Sequence, residues 1–152
     1  MSIQQNVDPE AARATDYRHV FGWPVQWHNN ALTLVTGSGI GAVAIPRSLS
    51  ERVLASVARQ GCEGPAVCVL TKHGAVVVLL VEADMLAPAE DSLPDGVRVV
   101  NAGTAIPLPD ERSPHDLTHW VVPPDTHHRW LPSLTAVLAS IRSVATPRLS
   151  LS

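Results

Sequence analysis

Glu82 and Asp84 alternate at the end of "VVVLLVEAD", so in an extended strand both carboxylates face one side, as a metal site would use them. A solvated strand end before a loop is the simpler account of the same pair. His115 and His119 stand four apart, the spacing that places two metal ligands on one helix face, and His127 and His128 follow to offer a third ligand for zinc. Ser113-Pro114 before them and Trp120-Val121-Val122-Pro123 after them favour a loop and a short strand instead, with ordinary surface histidines. Trp23, Trp27, Trp120 and Trp130 are candidates for a stacking platform of the kind single-strand binders use, set against packing in or near the core. Arg47, Lys72, Arg98 and Arg129 are candidates for holding an anion, set against separate solvated charges. Cys62 and Cys68 are six apart, which fits neither a zinc knuckle nor a disulfide framework, and they read as reduced thiols in or near the core.

The glycine-rich stretch "LTLVTGSGIGAVAIPR" from Leu32 to Arg47 invites a phosphate-cradling reading, because Gly37, Gly39 and Ala42 match a dinucleotide-binding pattern. The chemistry argues otherwise. A pyrophosphate loop must feed straight into a helix whose N–H groups hold the phosphate, whereas "AVAIP" is strand-like and ends in proline. The stretch therefore reads as strand, turn, strand.

These residues need elements to hold them, and the composition says what kind. The chain has 152 residues, enough for one domain with a real core; 45% are hydrophobic and 16% charged, which excludes a disordered or coiled-coil chain. Net charge is −3 with no basic run, so the sequence carries no electrostatic footprint for a nucleic-acid backbone, and the acidic, proline-rich "LAPAEDSLPDG" would repel one. The stretch "MSIQQNVDPE" lacks a basic region followed by an apolar run, and no segment approaches a membrane-spanning length, which predicts a cytoplasmic protein without membrane contact.

Asp8-Pro9 predicts the start of a helix that ends near Gly22, with residues 1–7 as a flexible lead. "PVQW" and "ALTLV" predict a hairpin turning at His28-Asn29-Asn30, and "IGAVAI" predicts a strand closed by Pro46. Ser48 with Glu51 reads as a capping box opening a helix that Gly61 stops. "AVCVL" and "AVVVLLV" around Thr71-Lys72-His73-Gly74 predict a hairpin of strands buried on both faces. "VRVVNAGTAIPL" predicts a short strand pair, and Pro132 to Val144 an amphipathic helix before a flexible tail over 146–152. The sum is one α+β domain over 8–145, a mixed and mostly antiparallel sheet with helices packed on it.

Taken in order from about Tyr17 to Ile141, these pieces resemble the N-terminal domain of bifunctional DNA primase/polymerases, the prim-pol branch of archaeo-eukaryotic primases, in the reduced form common in actinobacterial proteins. "FGWPV" is similar to the family's entry into its first strand, and "LVTGSGIGAVAIP" to its threonine-glycine loop and the strand that ends in two alternating aspartates. "LTKHGAVVVLLV" resembles the hairpin that carries the active-site histidine; "GVRVVNAGTAIPLP" resembles the segment with the third aspartate; "THWVVPP" and "RWLPSLTAVLASI" resemble the closing tryptophan and terminal helix. The resemblance implies two-metal nucleotidyl transfer, in which carboxylates hold divalent ions roughly 3.5 to 4 Å apart. This chain departs from it at every ligand. Residues within Ala44 to Arg47 replace the paired aspartates, Ala75 or Val76 replaces the histidine, and Val97 or Arg98 replaces the third aspartate. The expectation is a prim-pol-like domain without primase chemistry and without a cofactor, acting as a binding or regulatory module for a protein partner or for a nucleotide. The remnant cleft would draw on Thr36, Gly37, Gly39, Arg47, Lys72, His73 and Arg98. Two other classes stay open, a nucleic-acid-binding accessory of replication or a mobile element, and an enzyme with relocated ligands at Glu82 and Asp84 or at the histidines.

Overall fold

Runs of valine and leucine that carry no polar alternation need cover on both faces, and the two longest find it at the centre of a sheet. The computed structural model of the chain describes residues 17–18, 21–28, 31–37, 39–72, 74–83, 93–109, 118–124 and 130–145. In chain order they form β1 (Val25–His28), β2 (Ala31–Val35), β3 (Ile40–Pro46), helix α1 (Arg47–Arg59), β4 (Ala66–Thr71), β5 (Gly74–Glu82), β6 (Arg98–Val99), β7 (Ala105–Pro107), β8 (His119–Val122) and helix α2 (Leu134–Ala145). The strands make a three-stranded sheet in the order β1-β2-β7 and a five-stranded sheet in the order β6-β3-β5-β4-β8. Every ladder between them is antiparallel. The α+β class and the mostly antiparallel sheet are as the residue pattern predicts.

The five-stranded sheet lies between two cores, and side-chain alternation assigns each residue to one of them. Ala42 of β3, Val67 and Val69 of β4, and Val78 and Leu80 of β5 pack against Val25, Leu32, Leu34, Ile106 and Leu108 of the three-stranded sheet. Their neighbours Val43, Ile45, Ala66, Val77, Leu79 and Val81 face the other way, against Val53 and Val57 of α1 and Leu134, Val137, Leu138 and Ile141 of α2. Burying each such side chain is worth about 1.5 to 3 kcal/mol, so both faces hold the central hairpin in register. Its pairing runs from Thr71 opposite Gly74 to Ala66 opposite Leu79, the doubly buried hairpin that the sequence predicts. The two helices meet through a polar seam, where the Ser56 and Ser140 hydroxyls lie 2.9 Å apart with both residues fully buried.

Local signals hold at most element ends. The β1–β2 hairpin closes with His28 opposite Ala31. Helix α1 stops with the Gly61 N–H bonded to the Ala58 carbonyl and the Cys62 N–H bonded to the Val57 carbonyl, a Schellman ending with Gly61 at φ 75°. Ser133 opens α2 by accepting the Ala136 N–H at 3.1 Å. The expected helix from Asp8 lies outside the described residues apart from Tyr17 and Arg18, which are helical. The lead over residues 1–7 and the tail over 146–152 lie outside them as well.

Two local readings change. The capping box is not formed: α1 begins at Arg47 with Pro46 in the N-cap position and no side-chain cap, so Ser48 is already inside the helix. The reason is the ladder. Pro46 remains paired opposite Val76, and at φ −58° and ψ 144° it turns the chain from strand to helix with no loop between them. Ser50 bonds back to the Arg47 carbonyl at 2.8 Å. The second change concerns "VRVVNAGTAIPL", whose two strands do not pair with each other; β6 joins β3 in the five-stranded sheet and β7 joins β2 in the three-stranded one. The glycine stretch likewise joins β2 to β3 across the same gap between sheets.

Candidate functional site

Alternating residues at the end of β3 share a face, and the register shows which face each pair is on. In an antiparallel ladder, residues directly opposite one another project to the same side. Pro46 stands opposite Val76, and Ala44 stands opposite Arg98. Ala44, Pro46, Val76 and Arg98 therefore form one constellation across three adjacent strands, β6, β3 and β5, on the side of the central sheet that carries the three-stranded sheet. Ile45 points the other way and is fully buried against the helices. Of the alternatives left open by the sequence, 44, 46, 76 and 98 share this face, and the same register puts Ile45, Ala75 and Val97 together on the helix side.

The chemistry available there is plain. Ala44, Pro46 and Val76 offer no side-chain oxygen, and Arg98 brings a permanent positive charge, so this set does not fit a divalent cation, which needs hard oxygen ligands. Among the described residues no group of three or more His, Cys, Asp or Glu side chains is placed to hold a metal ion. What the end of the sheet does offer is cationic. Arg98 is exposed, Lys72 is exposed at the tip of the β4–β5 hairpin beyond Val76, and Arg47 is exposed where β3 becomes α1.

The remaining predicted cleft residues do not join them. Thr36, Gly37 and Gly39 lie at the opposite end of β3, which at about 3.3 Å per residue puts a strand's length between them and Arg47. Thr36 is buried, and its hydroxyl donates to the Asn101 carbonyl at 2.8 Å and accepts the Thr104 N–H at 3.0 Å. The Thr36 N–H donates to the Thr104 carbonyl, and its own carbonyl accepts the Gly103 N–H. Thr36 thus ties the β2–β3 crossover to the β6–β7 crossover. Gly37 and Ile40 exchange both backbone hydrogen bonds around the intervening turn, with Gly37 and Gly39 at φ 117° and 91°, which suits glycine. His73 lies outside the described residues.

The other candidates separate in the same way. Glu82 is exposed at the far end of β5, opposite Ile40, and Asp84 lies outside the described residues. His115, His127, His128 and Arg129 lie outside them too, while His119 is on β8. Trp23 is buried, stacked on Tyr17 at 5.4 Å between centroids, and Trp120 donates its indole N–H to the Tyr17 hydroxyl at 3.2 Å. Two of the four tryptophans are therefore spent in the core beneath the three-stranded sheet, while Trp27 and Trp130 are exposed on separate elements.

A second feature lies behind the first, on the helix side of the same strands. A cleft of about 270 Å³ opens between the first turns of α1 and the β5-β4-β8 edge, with Arg47, Glu51, Cys68, Val77 and His119 among its walls. Sequence reasoning placed Cys68 in the core, and the structure makes it nine-tenths buried, yet its side chain borders this space. It stands directly opposite His119 in the β4–β8 ladder. No spacing rule brings residues 68 and 119 together, so only the sheet order could reveal them.

No protein-family model, curated protein or solved structure matches this chain. The arrangement therefore rests on its own geometry, that of a three-layer α+β domain with the exposed Arg98 on one face of the central sheet and a cleft on the other. Among the described residues no helix is long and apolar enough to cross a membrane.

Proposed function

We propose that the chain is a degenerate prim-pol-like domain that acts as a cytoplasmic binding or regulatory module, not as a polymerase. The observation that carries this reading is the convergence of positions 44, 46, 76 and 98 on one face of β6-β3-β5 with no carboxylate among them. Each of them is among the alternatives to which the resemblance assigns the metal ligands, and the three strands that carry them lie side by side in the sheet. Arg98, one of the two positions matched to the third aspartate, supplies positive charge directly, where the resembled enzymes supply it through a metal. Arg98, exposed on this face, then suits a phosphate of a nucleotide or an acidic surface of a protein partner.

The test is a titration of the isotopically labelled chain with a nucleoside triphosphate, with and without magnesium or manganese, followed through backbone amide shifts. Shifts near Ile45, Val76 and Arg98 that do not depend on metal are expected, and Arg98→Ala should weaken them several-fold. Metal-dependent shifts there would overturn the reading and call for a polymerase assay. Salt-dependent retention on single-stranded DNA would move the domain to the nucleic-acid-binding class. With neither response, the same face remains a surface for a protein partner, to be sought by pull-down with wild type against Arg98→Glu.

A further inference from the structure

We propose that the helix-side cleft is a thiol-modification site, in which Cys68 takes a low-molecular-weight disulfide and His119 receives the thiol proton. This goes beyond the reading above and does not depend on it. Four observations meet in one place. Cys68 is 4% exposed and is not in a disulfide, and among the described residues no hydrogen bond reaches its thiol. It borders a cleft of about 270 Å³, so its burial is beside open space and not within packed side chains. His119 is its cross-strand partner and borders the same cleft, and directly opposed side chains start roughly 4.5 to 5.5 Å apart at Cβ, within proton-transfer reach once an imidazole is extended. The amino end of α1, which no side chain caps, opens on the same space beside Arg47, and both favour negative charge at the thiol against the Glu51 carboxylate on the same wall.

The edge strand is shaped for this. His119 and Val121, two apart on β8, both border the cleft, and the β4–β8 register shifts at Ala66/Val67, which leaves Val121 as the extra residue between the Trp120 and Val122 pairs. Such bulges re-aim side chains at sheet edges. The step balances without any other reagent. The Cys68 sulfur attacks one sulfur of the disulfide, the S–S bond breaks, the new Cys68–S–S–R bond forms, and the departing thiolate takes the proton held by His119. One Cys68 thiol is oxidised to the mixed disulfide and one disulfide is reduced to one free thiol in the other half. A group attached there fills the cleft between α1 and β4.

Cys62 provides an internal control, because it is free and more exposed than Cys68 but is not part of the cleft wall. The reduced, full-length chain is incubated with bis(2-hydroxyethyl) disulfide, and each cysteine is followed by peptide mass spectrometry. The expected result is faster modification of Cys68 than of Cys62. His119→Ala should slow Cys68 on the order of tenfold or more and leave Cys62 unchanged, with partial recovery in added imidazole. His119 is exposed on an edge strand, and circular dichroism of His119→Ala beside wild type separates a loss of proton transfer from a loss of fold. Modification of Cys62 first, equal rates at both cysteines, or no effect of His119→Ala on Cys68 would each overturn the proposal.

Discussion

The two faces of the central sheet near Pro46 differ in a way that separates likeness from chemistry. On one face, Ala44, Pro46, Val76 and Arg98 share a side of β6-β3-β5 and offer no side-chain oxygen. On the other, Arg47, Glu51, Cys68 and His119 gather around a cleft although no motif links them. Strand pairing builds both. Both rest on long-range pairings, the first on β3 with β5 and β6, the second on β4 with β8. One sheet thus presents two unlike sets of side chains, an apolar one with a single cation and one that brings a thiol and an imidazole to a cleft.

The sharpest way to break this comparison is to place a carboxylate on each face in turn. Ile45→Asp puts an unpaired charge among fully buried helix-side residues, and urea denaturation should show a loss of at least about 4 kcal/mol, enough to unfold the domain. Ala44→Asp, one residue away on the half-buried opposite face, should cost far less. Equal losses would mean that the faces are wrongly assigned.

Next in size is Gly96→Ala, at the entry to β6. Gly96 has φ 88°, and a Cβ built there would lie 2.6 Å from Cγ of Pro46, so backbone strain and overpacking together should cost about 2 to 4 kcal/mol in the same measurement. A cost near zero would show that β6 is not held against Pro46, and the convergence of 46 with 98 would fail with it.

Thr36→Val keeps the shape of the side chain and removes its hydroxyl. It should cost about 1 to 3 kcal/mol, because the Thr104 N–H and the Asn101 carbonyl lose their buried partner. Triphosphate binding should be unchanged, in keeping with a structural role at the far end of β3. Smallest is Arg98→Ala, which should alter stability by no more than about 0.5 kcal/mol, since the side chain is exposed. Its effect belongs in the shift titration, and a large loss of stability would make Arg98 a structural residue instead.

Much of the fold was legible locally. The β4–β5 hairpin announces itself through unbroken apolar runs around a polar tip, Pro46 ends a strand because it cannot extend a ladder, and Gly61 ends α1 where a left-handed residue is needed. The candidate site was legible only as alternatives. Residues 44 to 47 offer two alternating pairs, and hydropathy cannot choose between them when strand and helix abut without a loop. The same abutment misled the helix start: Ser48 and Glu51 have the spacing of a capping box, yet Pro46 stays in the β3–β5 ladder and fills the cap position itself.

By itself the sequence determined the α+β class, the number and kind of the main elements, and the absence of acidic ligands at the end of β3, because these follow from nearest-neighbour chemistry and periodicity. Tertiary structure decided that β6 and β7 part into different sheets, that Thr36 staples two crossovers, that 44, 46, 76 and 98 share a face, and that Cys68 meets His119. Those facts depend on which strands pair and in what register. Pairing is set by the simultaneous burial of two faces, a property of the whole sheet that no single stretch of the chain contains.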